Sequence, residues 1–124
     1  MVSAAALVFG ISFLFNTVWE FAHSQLYTTC RTMEWPALAK LLARQSIKDA
    51  VWITLAHTLT PNIYMFSVVL LVFSFLVEKH ALHTKRWEYA PEMPRVFGVG
   101  VTPLLELAMT GVVATLLTAH ILSI

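Results

Sequence analysis

Charge is what this sequence has least of. Eight Lys/Arg and seven Asp/Glu make up only 12% of its 124 residues, while 58% are hydrophobic and the mean hydropathy is +0.73. A soluble domain of this size would need far more charge to cover its surface. The composition therefore predicts a single integral membrane domain over residues 1–124. A net charge of +1 supplies no field to draw nucleic acid. One cysteine, Cys30, excludes an intrachain disulfide and reads as a passive thiol near the membrane surface. Low-complexity tracts are absent. The opening run also lacks the basic start and cleavage site of a signal peptide, so it is expected to be a retained span.

What is present is a set of long apolar runs. A spanning helix needs about 20 mostly apolar residues. Residues 2–27 and 100–124 meet that length. Between Asp49 and Glu78 lie 28 residues that could form one tilted span or a hairpin broken at Thr60-Pro61-Asn62. Pro61 ends a helix but suits the first position of a new one, with Thr60 as its cap. All eight Lys/Arg fall in two blocks, Arg31 to Lys48 and Lys79 to Arg95. A hairpin puts both blocks on one face, the cytoplasmic one by the positive-inside rule, and leaves both termini extracytoplasmic. The expected fold is thus an all-α bundle of four spans, over about 2–27, 46–60, 61–83 and 100–124. The 46–60 span would reach only about 22 Å against a core of about 30 Å. Residues 34–45 read as a separate interfacial amphipathic helix, with Trp35, Leu38, Leu41 and Leu42 on one side and Lys40 and Arg44 on the other. Residues 83–99, with Trp87, Tyr89, Pro91 and Pro94, read as an ordered interfacial loop.

Polar residues inside the spans carry the functional signal. Ser12, Asn16, Glu20 and His23 share one helix face. Asp49 and His57 share another, as do Ser67, Ser74 and Glu78, and Thr102, Glu106 and Thr110. The hairpin topology brings Glu20, Asp49, Glu78 and Glu106 to similar depth on the cytoplasmic side. Ionisable residues in spans cost several kcal/mol and usually face the bundle interior. Three readings follow. The carboxylates could clamp the helices against Lys48, Lys79 and Arg86. They could bind a metal through Glu20, His23, Asp49, Glu78 and Glu106, because Glu-x-x-His is a ligand motif of di-metal helix bundles. The second such motif is missing here. Or carboxyls in an apolar pocket could act as acids and bases on a lipid-soluble alkene. Trp19, Trp87, Tyr89 or Phe97 would then stabilise a cation by their π faces.

The stretch from Glu78 through Trp87-Glu88-Tyr89, Pro91, Gly98 and Pro103 to Glu106 resembles the membrane lycopene-cyclase domain of carotenoid biosynthesis. In that family an acidic residue ends one helix, an aromatic loop follows, and a Pro/Glu motif opens the next. Trp19-Glu20 echoes the family's Trp–acid pair. The likeness covers about a quarter of the chain, and Pro103 stands three residues before Glu106 with no second Glu. Trp-Glu-x-x-His and Arg-Trp-x-Tyr…Met-Pro also resemble signatures of small uncharacterised prokaryotic membrane proteins, which imply no particular activity.

The leading expectation is an intramembrane acid/base site for an isoprenoid or other lipid-like molecule. Glu20 and Glu106 would be its catalytic carboxyls and His23 would orient or shuttle the proton. Asn16, Trp19, Glu78, Arg86, Trp87 and Tyr89 would contact substrate, the last three partly as a lid. A non-catalytic subunit of a larger complex is the second expectation, packing through Gly111, Thr115 and Ala119. A metal or proton conduit is the third. No cofactor is specified by the residues.

Overall fold

In the computed structural model, which describes residues 2–123, five helices and one two-stranded hairpin follow in order. They are α1 (Ala4–His23), α2 (Thr28–Arg31), α3 (Trp35–Leu59), α4 (Ile63–His83), β1 (Arg95–Val96), β2 (Val99–Gly100) and α5 (Val101–Ser123). A single 3-10 turn, Ser24–Leu26, prolongs α1. Ile124, the expected end of the last run, lies outside the described residues. Three helical segments are long and apolar enough to cross a membrane: Ala4–Leu26, Ile63–His83 and Val101–Ser123.

Local chemistry sets the ends of these helices. Ser3 caps α1 by accepting from the Ala6 N–H at 3.1 Å, and Asn62 caps α4 by accepting from the Met65 N–H at 2.9 Å. The break at Thr60-Pro61-Asn62 is therefore present, but its parts differ from expectation. Thr60 closes α3, its N–H donating to the Ala56 carbonyl, and Asn62 rather than Thr60 opens α4. A larger correction concerns α3. The expected interfacial helix 34–45 and the expected span 46–60 are one continuous helix of 25 residues. Nothing between Gln45 and Ile47 breaks a helix, and Ser46 satisfies its hydroxyl on the Leu42 carbonyl one turn back at 2.8 Å.

The bundle is built around α1 and α5. Helix α1 packs along both α3 and α5, and α5 packs along α4. The consecutive helices α3 and α4 touch only sparsely. One apolar cluster gathers Val8, Ile53, Phe66, Leu70, Leu107 and Ala108. A second gathers Tyr27, Cys30, Leu38, Leu42, Tyr89 and Met93 beneath the loop before α5. Gly111 is buried where a Cβ would come within 2.9 Å of the Phe66 ring and 3.1 Å of Leu70. That glycine therefore serves packing of α5 on α4 inside the chain. Of the row expected to face a partner, Thr115 is half-buried and Ala119 alone is exposed.

The 84–100 segment is strapped down rather than free. The Thr28 N–H donates to the Glu88 carbonyl at 2.9 Å, and the Ala90 N–H to the Leu26 carbonyl at 2.8 Å. Phe97 and Gly98 turn the β1–β2 hairpin, both with positive φ, 52° and 79°. A two-residue turn of this hand needs positive φ at both positions. The Phe97 side chain stands 84% exposed at the tip. It is thus remote in character from any cation-stabilising role inside the bundle.

Candidate functional site

The inward stripe of α1 meets α5 along its length. Asn16 donates to the Ser12 carbonyl at 2.7 Å and to the Thr110 hydroxyl at 3.0 Å. The Trp19 indole donates to the Thr102 carbonyl at 3.1 Å. Both side chains thus help join α1 to α5, and Asn16 Oδ1 is buried without a hydrogen-bond partner. Trp19 keeps an outer face on a groove between the two helices.

One turn further, His23 sits among acids. Its Nδ1 is 2.9 Å from the Thr102 hydroxyl, and its Nε2 is 3.2 Å from Glu20 Oε2 and 3.7 Å from Glu106 Oε1. The His23 and Glu106 side chains are each 6% exposed and Glu20 12%. Asp49 comes up from α3 against the carboxyls of both Glu20 and Glu106. Glu20, His23 and Glu106, expected to meet, do so, with Asp49 as the fourth member.

Among the described residues, no Lys or Arg lies at ion-pair distance from any of these carboxyls or from Glu78. The clamp expected from Lys48, Lys79 and Arg86 is not made. All three cations are exposed, whereas Glu78 and Glu106 are buried. Three clustered carboxyls with one imidazole need further positive charge between them, as protons or as a metal cation.

Glu78 stands apart in a cage of its own. Its Oε1 accepts from the Tyr89 hydroxyl at 2.7 Å and from the Tyr27 hydroxyl and Trp87 indole at 3.3 Å each. The Tyr89 oxygen in turn accepts from the Gly100 N–H at 2.9 Å, at the start of α5. Glu78, Trp87 and Tyr89 therefore hold the loop against α4 and α5. The five-residue metal set expected from sequence divides accordingly: Glu20, His23 and Glu106 offer one ligand atom each within 4.8 Å of one another, with Asp49 beside them. Tyr27 and Thr102 were not singled out as contacts of the site. Tyr27 follows a helix end, and its partner Glu78 is 51 residues away, so no spacing rule reaches it.

Where α3 and α4 part, a cavity of about 510 Å³ opens. Lys48 and Arg86 stand at its mouth, with the Arg86 guanidinium 5.1 Å from the centre of the Trp87 ring. Asp49, Ser74 and Glu106 line it, and Trp52, Phe73 and Leu107 give it an apolar wall. Asp49 Oδ2, Ser74 Oγ and Glu106 Oε2 are buried without a hydrogen-bond partner. Buried polar atoms are almost always paired. Asp49 and Glu106 lie against each other and Glu20, so protons shared among these carboxyls pair them, and Ser74 Oγ is left without a partner on the cavity.

Groups outside the helical spans also have shifted acidities. Burial, then the charge of Glu78, pushes the Tyr27 phenol well up. Burial, then hydrogen bonding to Glu78, does the same for Tyr89. Cys30 is buried and its thiol is also pushed up, which fits the passive role expected of it. The chain matches no protein family, no curated protein and no solved structure.

Proposed function

We propose that this protein is a four-span membrane protein whose clustered carboxyls transfer protons to and from a lipid-like molecule held between α3 and α4. The observation that carries this reading is the cavity on which the clustered carboxyls of Asp49 and Glu106 open beside an apolar wall of Trp52, Phe73 and Leu107. Four crossings are supported by contact between the end of α1 and the start of α5, since His23 and Thr102 are 2.9 Å apart. Those two helix ends share one side, so α3 must cross if α4 does. At about 1.5 Å per residue α3 spans about 37 Å, enough for a tilted crossing.

In the step proposed, a protonated Glu106 carboxyl delivers its proton to an alkene carbon. The π pair forms the new C–H bond and leaves a tertiary cation. Asp49 or Glu20 then takes a proton from a neighbouring carbon, whose C–H electron pair restores a double bond in a new position. Where a second double bond of the chain first attacks the cation, its π pair forms the C–C bond of a ring and the new cation loses the proton instead. His23, between Glu20 and Glu106, returns the proton. The sequence is redox-neutral and needs no other reagent. Trp52 and Trp87, both on the cavity, supply π faces for the cation.

The test is solvent exchange. Membranes carrying the protein, incubated in D2O with geranylgeraniol and geranylgeranyl monophosphate, should place deuterium in the carbon skeleton. Glu106→Gln should lower that rate about 100-fold or more, the usual contribution of a general acid. No carbon-bound deuterium with wild type defeats the acid/base reading.

A second reading is favoured by one observation, the tight grouping of Glu20, His23 and Glu106 donors. One imidazole and two or three carboxylates suit a borderline divalent cation such as Zn2+ or Mn2+. Protein purified without chelator should then carry one metal per chain, lost in Glu106→Gln. Metal-free protein that still exchanges deuterium returns the site to protons alone. The expectation of a non-catalytic subunit is left with Thr115 and Ala119, since Gly111 packs on Phe66 and Leu70 of the same chain.

A further inference from the structure

We infer that the cavity's ligand is a single-chain amphiphile with an anionic head, seated head outward between Lys48 and Arg86 and leaving its tail through the gap between α3 and α4. The inference rests on the acid/base reading of the same site and adds the substrate's class and route.

The cavity is layered along the helix axes. Gln45, Lys48, Arg86 and Trp87 form its outer layer. Asp49, Glu78 and Glu106 form the next. Trp52, Phe73 and Leu107 lie beyond them. From Gln45 to Trp52 the helix rises about 10 Å, the length of a phosphate plus a few carbons. Lys48 and Arg86 have no acidic partner at ion-pair distance among the described residues. With the carboxyls beneath them protonated, as the acid/base reading has them, these two cations favour an anionic head over a cationic one. The Arg86 guanidinium also lies 5.1 Å from the centre of the Trp87 ring, and the Trp87 indole donates to Glu78. A guanidinium offers a planar fork of donors that matches an oxyanion.

The tail leaves at the seam between α3 and α4. Helix α1 packs along α3 and α5, and α5 along α4, whereas α3 and α4 touch only sparsely. Trp52 and Phe73 meet across that seam with ring centres 4.8 Å apart. The residues flanking it towards the bilayer, Val51, Leu55, Val69 and Val72, are apolar and exposed. A chain sliding out there leaves one apolar medium for another. The Trp52–Phe73 contact keeps the seam narrow at that level, so the occupant inferred is a single chain.

The probes are geranylgeranyl monophosphate, geranylgeraniol and dioleoylphosphatidylglycerol, titrated into purified full-length protein in non-ionic detergent. Tryptophan fluorescence reads occupancy, because Trp52 and Trp87 line the cavity. The monophosphate should bind about ten- to a hundredfold more tightly than the alcohol, the range expected for charge-assisted hydrogen bonds. Lys48→Gln with Arg86→Gln should collapse that preference, with thermal unfolding confirming that the variant is folded. Leu107→Trp, which fills the apolar wall, should remove binding of both. Equal binding of phosphate and alcohol overturns the anionic head. Equal competition by the two-chain phospholipid overturns the single chain. In either case deuterium exchange by wild type and by Glu106→Gln remains a separate readout, and it alone decides the acid/base reading. Tight phosphate binding without any deuterium exchange would uphold the seat and defeat the chemistry.

Discussion

Tyr89 spends its hydroxyl twice, giving its proton to Glu78 and accepting from the Gly100 N–H. Tyr89→Phe strands both groups in a buried place and should cost about 1–3 kcal/mol, read as a fall in thermal stability in detergent. The same cage predicts an alkaline limit. Tyr27 and Tyr89 are acids held protonated in the fold above their ordinary value. Below about pH 10 both folded and unfolded states keep the proton, so stability does not change with these groups. Above it the unfolded chain releases protons that the folded one retains, and stability falls as pH rises. A melting series from pH 8 to pH 11 should show that fall in wild type and a shallower one in the Tyr27→Phe, Tyr89→Phe variant. Equal slopes would mean that the phenols titrate freely. The Glu20, His23 and Glu106 part of the site was legible from spacing, because residues three and four apart must share a helix face. The Glu78 cage was not, since it joins residues 11 and 51 positions apart through a loop with no period to read.

Helix α3 shows where composition misleads at the level of an element. Lys40, Arg44 and Lys48 make its first half look like a surface helix, and the hydropathy drop there looks like a boundary. Charge does not end a helix, however. Only a backbone conflict or a cap does, and the first one after Trp35 is at Thr60-Pro61. That proline break was legible for the same reason, with the cap displaced to Asn62 because a side chain that accepts from the third residue on defines the start. Gly111 is the other element-level case. In sequence, a row of small residues says only that something packs closely. The structure gives the partner as Phe66 and Leu70 of α4. Gly111→Val should therefore wedge α4 from α5 and cost about 1–3 kcal/mol as overpacking does. A drop in the melting temperature with no change of oligomeric state is expected. Loss of an oligomer with unchanged monomer stability would return Gly111 to an intermolecular role.

At the scale of the whole molecule the sparse polarity of the chain becomes a constraint on its path. The apolar helices α1, α4 and α5 suit a bilayer, and the first and last of them touch where α1 ends and α5 begins. Chain direction then leaves one consistent route. If α1 leaves the chain on one side, α5 starts on that side, and the segment between them must cross an even number of times. On the four-span proposal, α3 crosses together with the apolar α4. Its apolar exposed face of Ile47, Val51, Trp52, Leu55 and Leu59 is suited to lipid. The prediction is that Lys40, near the start of α3, and Lys85, after α4, lie on one membrane face. In a Cys30→Ser background, Lys40→Cys and Lys85→Cys should both resist an impermeant maleimide in intact cells and both react in inverted vesicles. The two positions are exposed, so lack of reaction in one preparation reports sidedness rather than burial. Reaction of one in cells and the other in vesicles would make α3 a surface helix. It would also put the ends of α1 and α5 on opposite faces, and the Glu20–His23–Glu106 cluster could not assemble within one chain.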